Sequence, residues 1–184
     1  MVETYVPNRR VVVVDDDPSN LELLQEILLR EGCEVRVTSQ PKEAASLVGS
    51  FKPSLVLLDQ DMPGLTGLDV LKLIKTAHPD IDVMFISAHS NPRMVSSALE
   101  QGADDYIRKP FSIVELTSRL HVRFRIRDLR EQLRIANQKL ADLAITDDLT
   151  GLFNMRQMYE KIEYELKRTK RSGKPIGCVM FDMD

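Results

Sequence analysis

The chain lacks the features that mark several whole classes of protein. Its 184 residues include no tryptophan, three histidines and two cysteines, Cys33 and Cys178. Two cysteines cannot form a disulfide framework, and with three scattered histidines they do not form a zinc site. The longest aliphatic runs, residues 11–14 and 55–58, have four residues each, whereas a membrane-spanning helix needs about 20. We therefore expect reduced cysteines in the core and no membrane partner.

The N-terminus and the charge distribution narrow the choice further. The first seven residues contain an acid, Glu3, and no base, so they lack the basic start and apolar stretch of a secretory signal. This predicts a cytoplasmic protein. Residues 1–118 carry 11 Lys and Arg against 18 Asp and Glu, whereas residues 119–184 carry 14 against 10. The two parts of the chain therefore differ in kind.

Short aliphatic runs alternate with amphipathic stretches of helical period from residue 9 to about residue 118. This alternation predicts consecutive βα units around a parallel sheet, which is an α/β fold of the doubly wound class. Five strands are expected, and a helix follows each of them. The predicted strands are Arg10–Val14, Glu34–Thr38, Leu55–Asp59, Asp82–Ser87 and Asp105–Arg108.

The last helix of this pattern is predicted to extend well beyond a compact domain. No glycine or proline occurs from residue 112 to residue 143, so about thirty residues can form one helix. Apolar residues recur in it at alternating intervals of four and three, the period of 3.5 that is typical of a coiled coil. We expect a parallel homodimer through residues 122–143; the alternative is that this stripe packs on its own domain. The stripe consists of Val122, Ile126, Leu129, Leu133, Ala136, Leu140 and Leu143.

Acidic, hydroxyl and basic side chains stand where the predicted strands end. In open α/β sheets this carboxyl edge is where ligands bind. Three carboxylates that meet in one cleft repel each other unless a cation is present. Oxygen donors with no soft ligand among them favour Mg²⁺. The side chains are Asp15, Asp16 and Asp17 at the first strand, Asp59 at the third, Ser87 at the fourth and Lys109 after the fifth.

A cation beside a carboxylate, a hydroxyl and an ammonium group suits phosphoryl transfer, in which a protein mainly positions groups and neutralises charge. Asp59 would be the nucleophile, Lys109 a compact charge on a phosphoryl oxygen and Ser87 a hydrogen-bond donor. The alternative is that the Asp run only caps the first helix and that Lys109 is a surface residue.

Four motifs stand out in residues 9–118: Val13-Val14-Asp15-Asp16, Leu57-Leu58-Asp59 with Met62-Pro63-Gly64 and Gly67, Ser87-Ala88, and Asp105-Tyr106-Ile107-Arg108-Lys109-Pro110-Phe111. Through these motifs the segment resembles a two-component receiver domain, a flavodoxin-like fold. The resemblance implies that a histidine kinase or a phosphotransfer protein phosphorylates Asp59, and that Ser87 and Tyr106 move together afterwards. It also implies that Asp15, Asp16, Asp59 and the backbone carbonyl of Asp61 hold Mg²⁺.

Residues 145–184 contain a D-x-L-T-G-L-x-N turn at 147–154, a predicted helix to about Arg171, and a predicted strand, 176–181, followed by Asp182-Met183-Asp184. Through these features the segment resembles the opening of a GGDEF domain, the diguanylate cyclase fold. Met155 departs from the family pattern, in which a second basic residue is usual. The resemblance implies that Asp182, assisted by the carbonyl of Met183, holds a catalytic Mg²⁺ in the intact parent protein.

These features predict three segments: a receiver domain (1–118), a helical stalk (119–144) and the N-terminal fragment of a GGDEF-like domain (145–184). The chain lacks the signature turn that names the second family, so we expect no cyclase activity from it alone. We expect a longer response regulator that makes cyclic di-GMP from GTP.

Two alternatives to a cyclase output remain open. One is a receiver with a vestigial output, which acts as a phosphorylation-dependent dimerisation module. The other is a DNA-binding response regulator, since the predicted stalk is basic and phosphate contacts need such residues. No helix-turn-helix spacing supports the second alternative, so we expect nucleic acid not to be a partner. The basic residues are Arg119, Arg123, Arg125, Arg127, Arg130 and Arg134.

Overall fold

The computed structural model describes residues 6–88, 91–145, 147, 149–179 and 181. The chain divides into two compact units, residues 1–129 and 130–184. The first unit contains a five-stranded parallel sheet in the order β2-β1-β3-β4-β5. This confirms the predicted α/β fold. The strands are β1 (Arg10–Val14), β2 (Glu34–Thr38), β3 (Leu55–Asp59), β4 (Asp82–Ser87) and β5 (Asp105–Arg108).

The central strands are buried along most of their length because helices cover both faces of the sheet. All residues of β3 and β4 are buried. β1 pairs in parallel with β2 on one side and with β3 on the other. From β1 the chain first continues to β2 on one side and then crosses to β3 on the other side of β1. The strand order therefore reverses at the carboxyl end of β1. Ligands of open α/β sheets bind at such a point.

Helices connect the strands, and most of those in the first unit start at a side-chain cap. Asp17 accepts a hydrogen bond from the Ser19 amide at the start of α1, and Asn91 accepts one from the Arg93 amide at the start of α4. Thr66 and Asp69 form a reciprocal capping box at α3, which satisfies backbone donors at the first turn. The helices are α1 (Pro18–Arg30), α2 (Ala44–Phe51), α3 (Gly67–Ala77), α4 (Pro92–Glu100), α5 (Ile113–Ile145) and α6 (Met155–Ser172).

Two apolar clusters form the core of the first unit. One contains Val48, Leu71, Ile74 and Phe85, and partly buried side chains including Tyr106 pack against it. The other contains Leu24, Leu28 and Leu116 of α1 and α5 together with residues of the central strands. The alternation of side chains along β1 assigns Val12 and Val14 to the first cluster and Val11 and Val13 to the second. The sheet thus positions its carboxyl edge between two packed layers.

The long final helix of the sequence pattern is confirmed, since α5 runs without interruption over the 33 residues Ile113–Ile145. None of the helices in the described part of the chain is both long enough and apolar enough to cross a bilayer.

The second unit contains α6, which is capped by Asn154 and ends at Gly173 in the left-handed conformation that glycine favours. The predicted strand at 176–181 is wrong for the residues described there, which have no regular secondary structure. A strand needs a neighbouring strand for its backbone groups, and none of the described residues pairs with it. The expectation of a core cysteine is confirmed for Cys33, which is buried, and wrong for Cys178, which is exposed.

Candidate functional site

Three aspartates meet at the carboxyl edge of the sheet. One carboxylate oxygen from each of Asp15, Asp16 and Asp59 lies within 4.8 Å of the others. Asp15 and Asp59 are 2% and 6% exposed, respectively, and Asp16 is exposed. The positions arise from topology, because β1 and β3 are adjacent and parallel and end at the same level. Two nearly buried carboxylates with a third at the entrance form an acidic cleft.

Lys109 bridges the two buried carboxylates. Its Nζ donates to Asp15 Oδ2 at 2.9 Å and to Asp59 Oδ1 at 2.7 Å. Lys109 directly follows β5, and its backbone N–H donates to the Ser87 carbonyl at 2.7 Å. The ends of β4 and β5 therefore hold the lysine over the acidic pair, and the ammonium group offsets part of the repulsion between the carboxylates.

The titration of the bridged groups reflects both burial and pairing. Burial raises the pKa of Asp59; the hydrogen bond and the charge of Lys109 oppose this, and the result is a pKa above the ordinary aspartate value. Burial by itself would lower the pKa of Lys109, but hydrogen bonds to Asp15 and Asp59 outweigh it and raise that pKa. Lys109 is therefore a firmly charged ammonium group, and Asp59 is a carboxylate in a confined environment.

Backbone amides and one side chain orient the same carboxylates. Asp59 Oδ2 accepts from the Asp61 amide at 2.9 Å. Asp15 Oδ1 accepts from the Asp17 amide at 3.0 Å and from Asn20 Nδ2 at 3.1 Å. The sequence reasoning missed Asn20, although its place on the first turn of α1, five residues after Asp15, is a usable signal. Asp17 acts as the cap that the alternative for the Asp run predicted.

Two further predicted residues lie at neighbouring strand ends. Ser87 ends β4 and is fully buried. The hydroxyl of Tyr106, on β5, donates to the Gln60 side-chain oxygen at 3.2 Å, a contact that the sequence reasoning did not predict. The pairing of β3 with β4 and of β4 with β5 places Gln60, Ser87 and Tyr106 on three adjacent strands or their ends.

The donor set of the cleft fits a hard divalent cation. The carboxylate oxygens of Asp15, Asp16 and Asp59 lie within 4.8 Å of one another, and opposite ligands of an octahedral Mg²⁺ are about 4.2 Å apart. Only oxygen donors are present in this cluster, which disfavours a soft metal. The cluster thus has the chemistry that a magnesium site requires.

Several arginines of the predicted basic stalk are engaged by the protein itself. Arg119 pairs with Asp105 at 2.9 Å. Arg123 donates to the Asp104 carbonyl at 2.6 Å, and Arg127 donates to the Asp80 carbonyl at 2.7 Å. Within the second unit Arg134 pairs with Glu131. These contacts reduce the basic surface that the sequence pattern had suggested for a nucleic acid.

Three residues in or beside the sequence motifs lie outside the part of the chain that the structure describes. Asp182, the predicted cyclase metal ligand, and Met183 beside it lie outside the described residues. His89, which follows the Ser87-Ala88 motif, also lies outside them.

Comparison with known proteins agrees with this geometry. The family model described as "Response regulator receiver domain" matches residues 11–121, which include every residue of the acidic cleft. The chain belongs to the response regulator receiver family. Receiver domains generally bind Mg²⁺ at this acidic pocket, and they take their phosphoryl group from histidine kinases in two-component systems.

The match to each of the following relatives includes the receiver domain of this chain and covers only part of the relative's own length. The DNA-binding response regulator MtrA of Mycolicibacterium smegmatis is 38% identical over 117 residues, which are 64% of this chain and 51% of that protein. The DNA-binding transcriptional regulator NtrC of Proteus hauseri is 32% identical over 83% of this chain and 32% of that protein. The chain therefore spans about half the length of MtrA.

Solved structures show the same fold. The receiver domain of NtrX from Brucella abortus has a TM-score of 0.60 and 35% identity, and the match covers 62% of this chain and 98% of that domain. The beryllofluoride-activated receiver domain of RstA from Klebsiella pneumoniae has a TM-score of 0.60 and 28% identity over 63% of this chain and 98% of that domain.

Proposed function

We propose that Asp59 accepts a phosphoryl group from a histidine kinase or a phosphotransfer protein, so that the chain is the regulated part of a response regulator. The observation that carries the proposal is the Lys109 bridge, which holds one ammonium group against the Asp15 and Asp59 carboxylates in a nearly buried cleft. A structural ion pair needs one carboxylate, whereas this cleft has a second buried carboxylate and a third acid, Asp16, at its entrance, which favours a cationic ligand.

Each residue of the cleft has a role in this proposal. A carboxylate oxygen of Asp59 attacks phosphorus, and the bond between phosphorus and the donor nitrogen breaks as the new bond to oxygen forms. Lys109 faces a phosphoryl oxygen as a point charge, and the Ser87 hydroxyl donates a hydrogen bond to the transferred group. The Asp61 amide, which already binds Asp59 Oδ2, keeps the carboxylate oriented for attack.

Asp15, Asp16, Asp59 and the backbone carbonyl of Asp61 would hold Mg²⁺. When bound, the ion supplies positive charge to the phosphoryl oxygens. The protein's own contribution is orientation: Asn20 and the Asp17 amide hold Asp15, which in turn holds Lys109. We expect Ser87 and Tyr106 to move together once Asp59 is phosphorylated, because the added charge draws the hydroxyl inward.

Intact mass spectrometry after incubation with acetyl phosphate and Mg²⁺ tests the proposal. The wild-type chain should gain the mass of one phosphoryl group, and Asp59→Asn should gain none. Asp61→Asn is the matched control, because it removes a neighbouring carboxylate and leaves both backbone groups of residue 61 in place. It should still gain the group. Equal gain by Asp59→Asn would refute the assignment.

For the output of the parent protein, the relatives favour a DNA-binding regulator over our expectation of a cyclase. MtrA and NtrC are both named as DNA-binding, and neither name refers to a cyclase. The GGDEF resemblance rests on the sequence of residues 145–184 alone. A vestigial output remains the third candidate.

Binding and turnover by the parent protein distinguish these outputs. A DNA-binding regulator should retain promoter DNA with an affinity that falls steeply with salt, and a cyclase should convert GTP to cyclic di-GMP. If the phosphorylated protein neither binds DNA nor makes cyclic di-GMP, the dimerisation module is the remaining candidate.

We also propose that residues 122–143 of α5 join two copies of the chain. Apolar side chains with the coiled-coil spacing are exposed there. The exposed fractions of Leu129, Leu133 and Leu140 are 56%, 62% and 65%. Light scattering should show a dimer that beryllofluoride stabilises, and Leu133→Lys should weaken it. A monomer at every concentration would refute the proposal.

A further inference from the structure

Gln60 is a buried amide at a position that directly follows the phosphoacceptor candidate. Its residue exposure is 4%, although glutamine is mostly found at protein surfaces. A buried polar side chain is costly unless it has a hydrogen-bond partner. The Tyr106 hydroxyl supplies that partner by donating to Gln60 Oε1 at 3.2 Å. The pair therefore links the end of β3 to β5.

Tyr106 reaches Gln60 by crossing the strand between them. β4 separates β3 from β5, and Phe85 of β4 is the register partner of Tyr106. The two rings pack with centroids 6.3 Å apart at an interplanar angle of 40°, within the range of favourable aromatic pairs. The tyrosine thus lies inward across the sheet, towards the acidic cleft.

The acceptor end of this contact is held by the core. The Gln60 carbonyl accepts from the Gly67 amide at 2.9 Å, at the first turn of α3. A Cβ on Gly67 would lie 2.4 Å from the Asp59 carbonyl oxygen and 2.8 Å from the Gln60 Cα. Helix α3 therefore packs directly on the backbone of Asp59 and Gln60. Such close packing leaves the Gln60 backbone little freedom to follow Tyr106 if the ring moves away.

We propose that Gln60 is a positioning residue that holds the Tyr106 ring inward before phosphorylation. The proposal rests on the proposed function, in which Tyr106 moves with Ser87. When the ring swings outward, Gln60 Oε1 loses this donor inside a buried site, so the inward position is favoured. One neutral hydrogen bond changes such an equilibrium roughly fivefold. Gln60 therefore raises the population of the inward tyrosine in the unphosphorylated protein.

Tyrosine ring resonances of the full chain, labelled with ¹³C-tyrosine, test this inference. The chain has four tyrosines, and Tyr106→Phe assigns the resonance of Tyr106. Gln60→Leu should shift this resonance and leave those of Tyr159 and Tyr164 unchanged. Adding beryllofluoride and Mg²⁺ should move the Tyr106 resonance several times further in Gln60→Leu than in the wild type, because the variant starts with a larger outward population.

A double-mutant cycle separates the hydrogen bond from packing. If the contact exists, the effects of Gln60→Leu and Tyr106→Phe on the unfolding equilibrium are not additive, and the double variant is more stable than their sum predicts. Gln60→Met replaces Gln60→Leu if the latter does not fold. Additive effects, or beryllofluoride shifts that are equal and greater than zero in wild type and variant, would overturn the inference.

These measurements distinguish the inference from the proposed function. Both the resonance of Tyr106 and the unfolding cycle are read in the absence of any phosphoryl donor. Phosphorylation of Asp59→Asn would refute the acceptor assignment and leave the Gln60 contact intact, whereas an unaltered Tyr106 resonance would refute the contact and leave the acceptor assignment intact.

Discussion

Different interactions stabilise the helices in the two units of the chain. In the first unit, Leu71 and Ile74 of α3 are 0% exposed. In the second, α6 has no buried residue, and Tyr159 and Leu166 are 64% and 49% exposed. Burial of apolar area is the main favourable term in folding. The first unit is therefore stabilised by its core, whereas α6 buries no side chain and depends more on its caps and surface ion pairs.

The local interactions of the second unit are individually weak. α6 has a cap at each end, Asn154 and Gly173, and ion pairs along its surface, such as Glu163 with Lys167. A pair of this kind on an exposed helix surface contributes little stability, and most helical stability in proteins comes from tertiary packing of an apolar face. We therefore expect the two units to differ in stability although both contain helices. Matched substitutions can measure the difference.

The largest expected effect is the loss of a buried ring. Phe85→Ala should destabilise the first unit by about 3–5 kcal/mol, because it leaves a cavity beside Leu58 and Tyr106. Phe153→Ala is the matched control in the second unit, where the ring is 58% exposed, and it should change the main transition by less than about 0.5 kcal/mol. Urea unfolding followed by circular dichroism measures both. Equal effects would contradict the comparison.

Next in size is the effect of a methyl group at two glycines. Gly67→Ala places a Cβ against the Asp59 carbonyl and the Phe85 ring and should cost about 1–3 kcal/mol through overpacking. It should also slow phosphorylation by acetyl phosphate, because α3 would be pushed from the acceptor strand. Gly177→Ala, whose Cβ meets nothing within 4 Å, should do neither. If Gly67→Ala were as stable as the wild type, this result would contradict the close packing of Gly67 on Asp59 and Phe85.

Removal of a helix cap should give a smaller difference. Thr66→Ala breaks the capping box of α3 and should lower the stability of the first unit by about 1 kcal/mol. Asn154→Ala removes the cap of α6 and should reduce helical circular dichroism without moving the main unfolding transition, because α6 does not belong to that cooperative core. A shift of the main transition by Asn154→Ala would show that the units unfold together.

The smallest effect concerns the pH dependence of one capping carboxylate. The hydrogen bond from the Thr66 hydroxyl lowers the pKa of Asp69 below its ordinary value of 3.8. A depressed pKa means that the folded state favours the charged form, so this contribution is present above pH 3.8 and is lost as the pH falls through the folded pKa. The stability advantage of wild type over Asp69→Asn should therefore shrink below about pH 4. An advantage that grows on acidification would contradict this.

The strands and the acidic cleft could be predicted from sequence because both depend on local pattern. Apolar runs of four residues mark β3 and β4, and parallel topology then places Asp15, Asp59 and Lys109 at one edge. The absence of glycine and proline from residues 112–143 likewise predicted one long helix. These features need only the order of residues along the chain.

Other contacts depend on side-chain reach, which sequence order does not reveal. The bond between Tyr106 and Gln60 crosses a whole strand, and Arg123 of α5 donates to the Asp104 carbonyl where the pattern suggested only a basic surface. The prediction of a strand at 176–181 was wrong because it considered the segment by itself. Its composition favours a strand, but strand formation also needs a partner strand, which no pattern within the segment can supply.

The central claim is that three carboxylates share one divalent cation beside the phosphoacceptor. Crystals grown with Mn²⁺ and beryllofluoride, measured for anomalous scattering, test this most directly. We expect a single strong peak bounded by the carboxylates of Asp15, Asp16 and Asp59 and the carbonyl of Asp61, with Lys109 next to it. A cleft without a peak, or a peak bound by none of these groups, would contradict it.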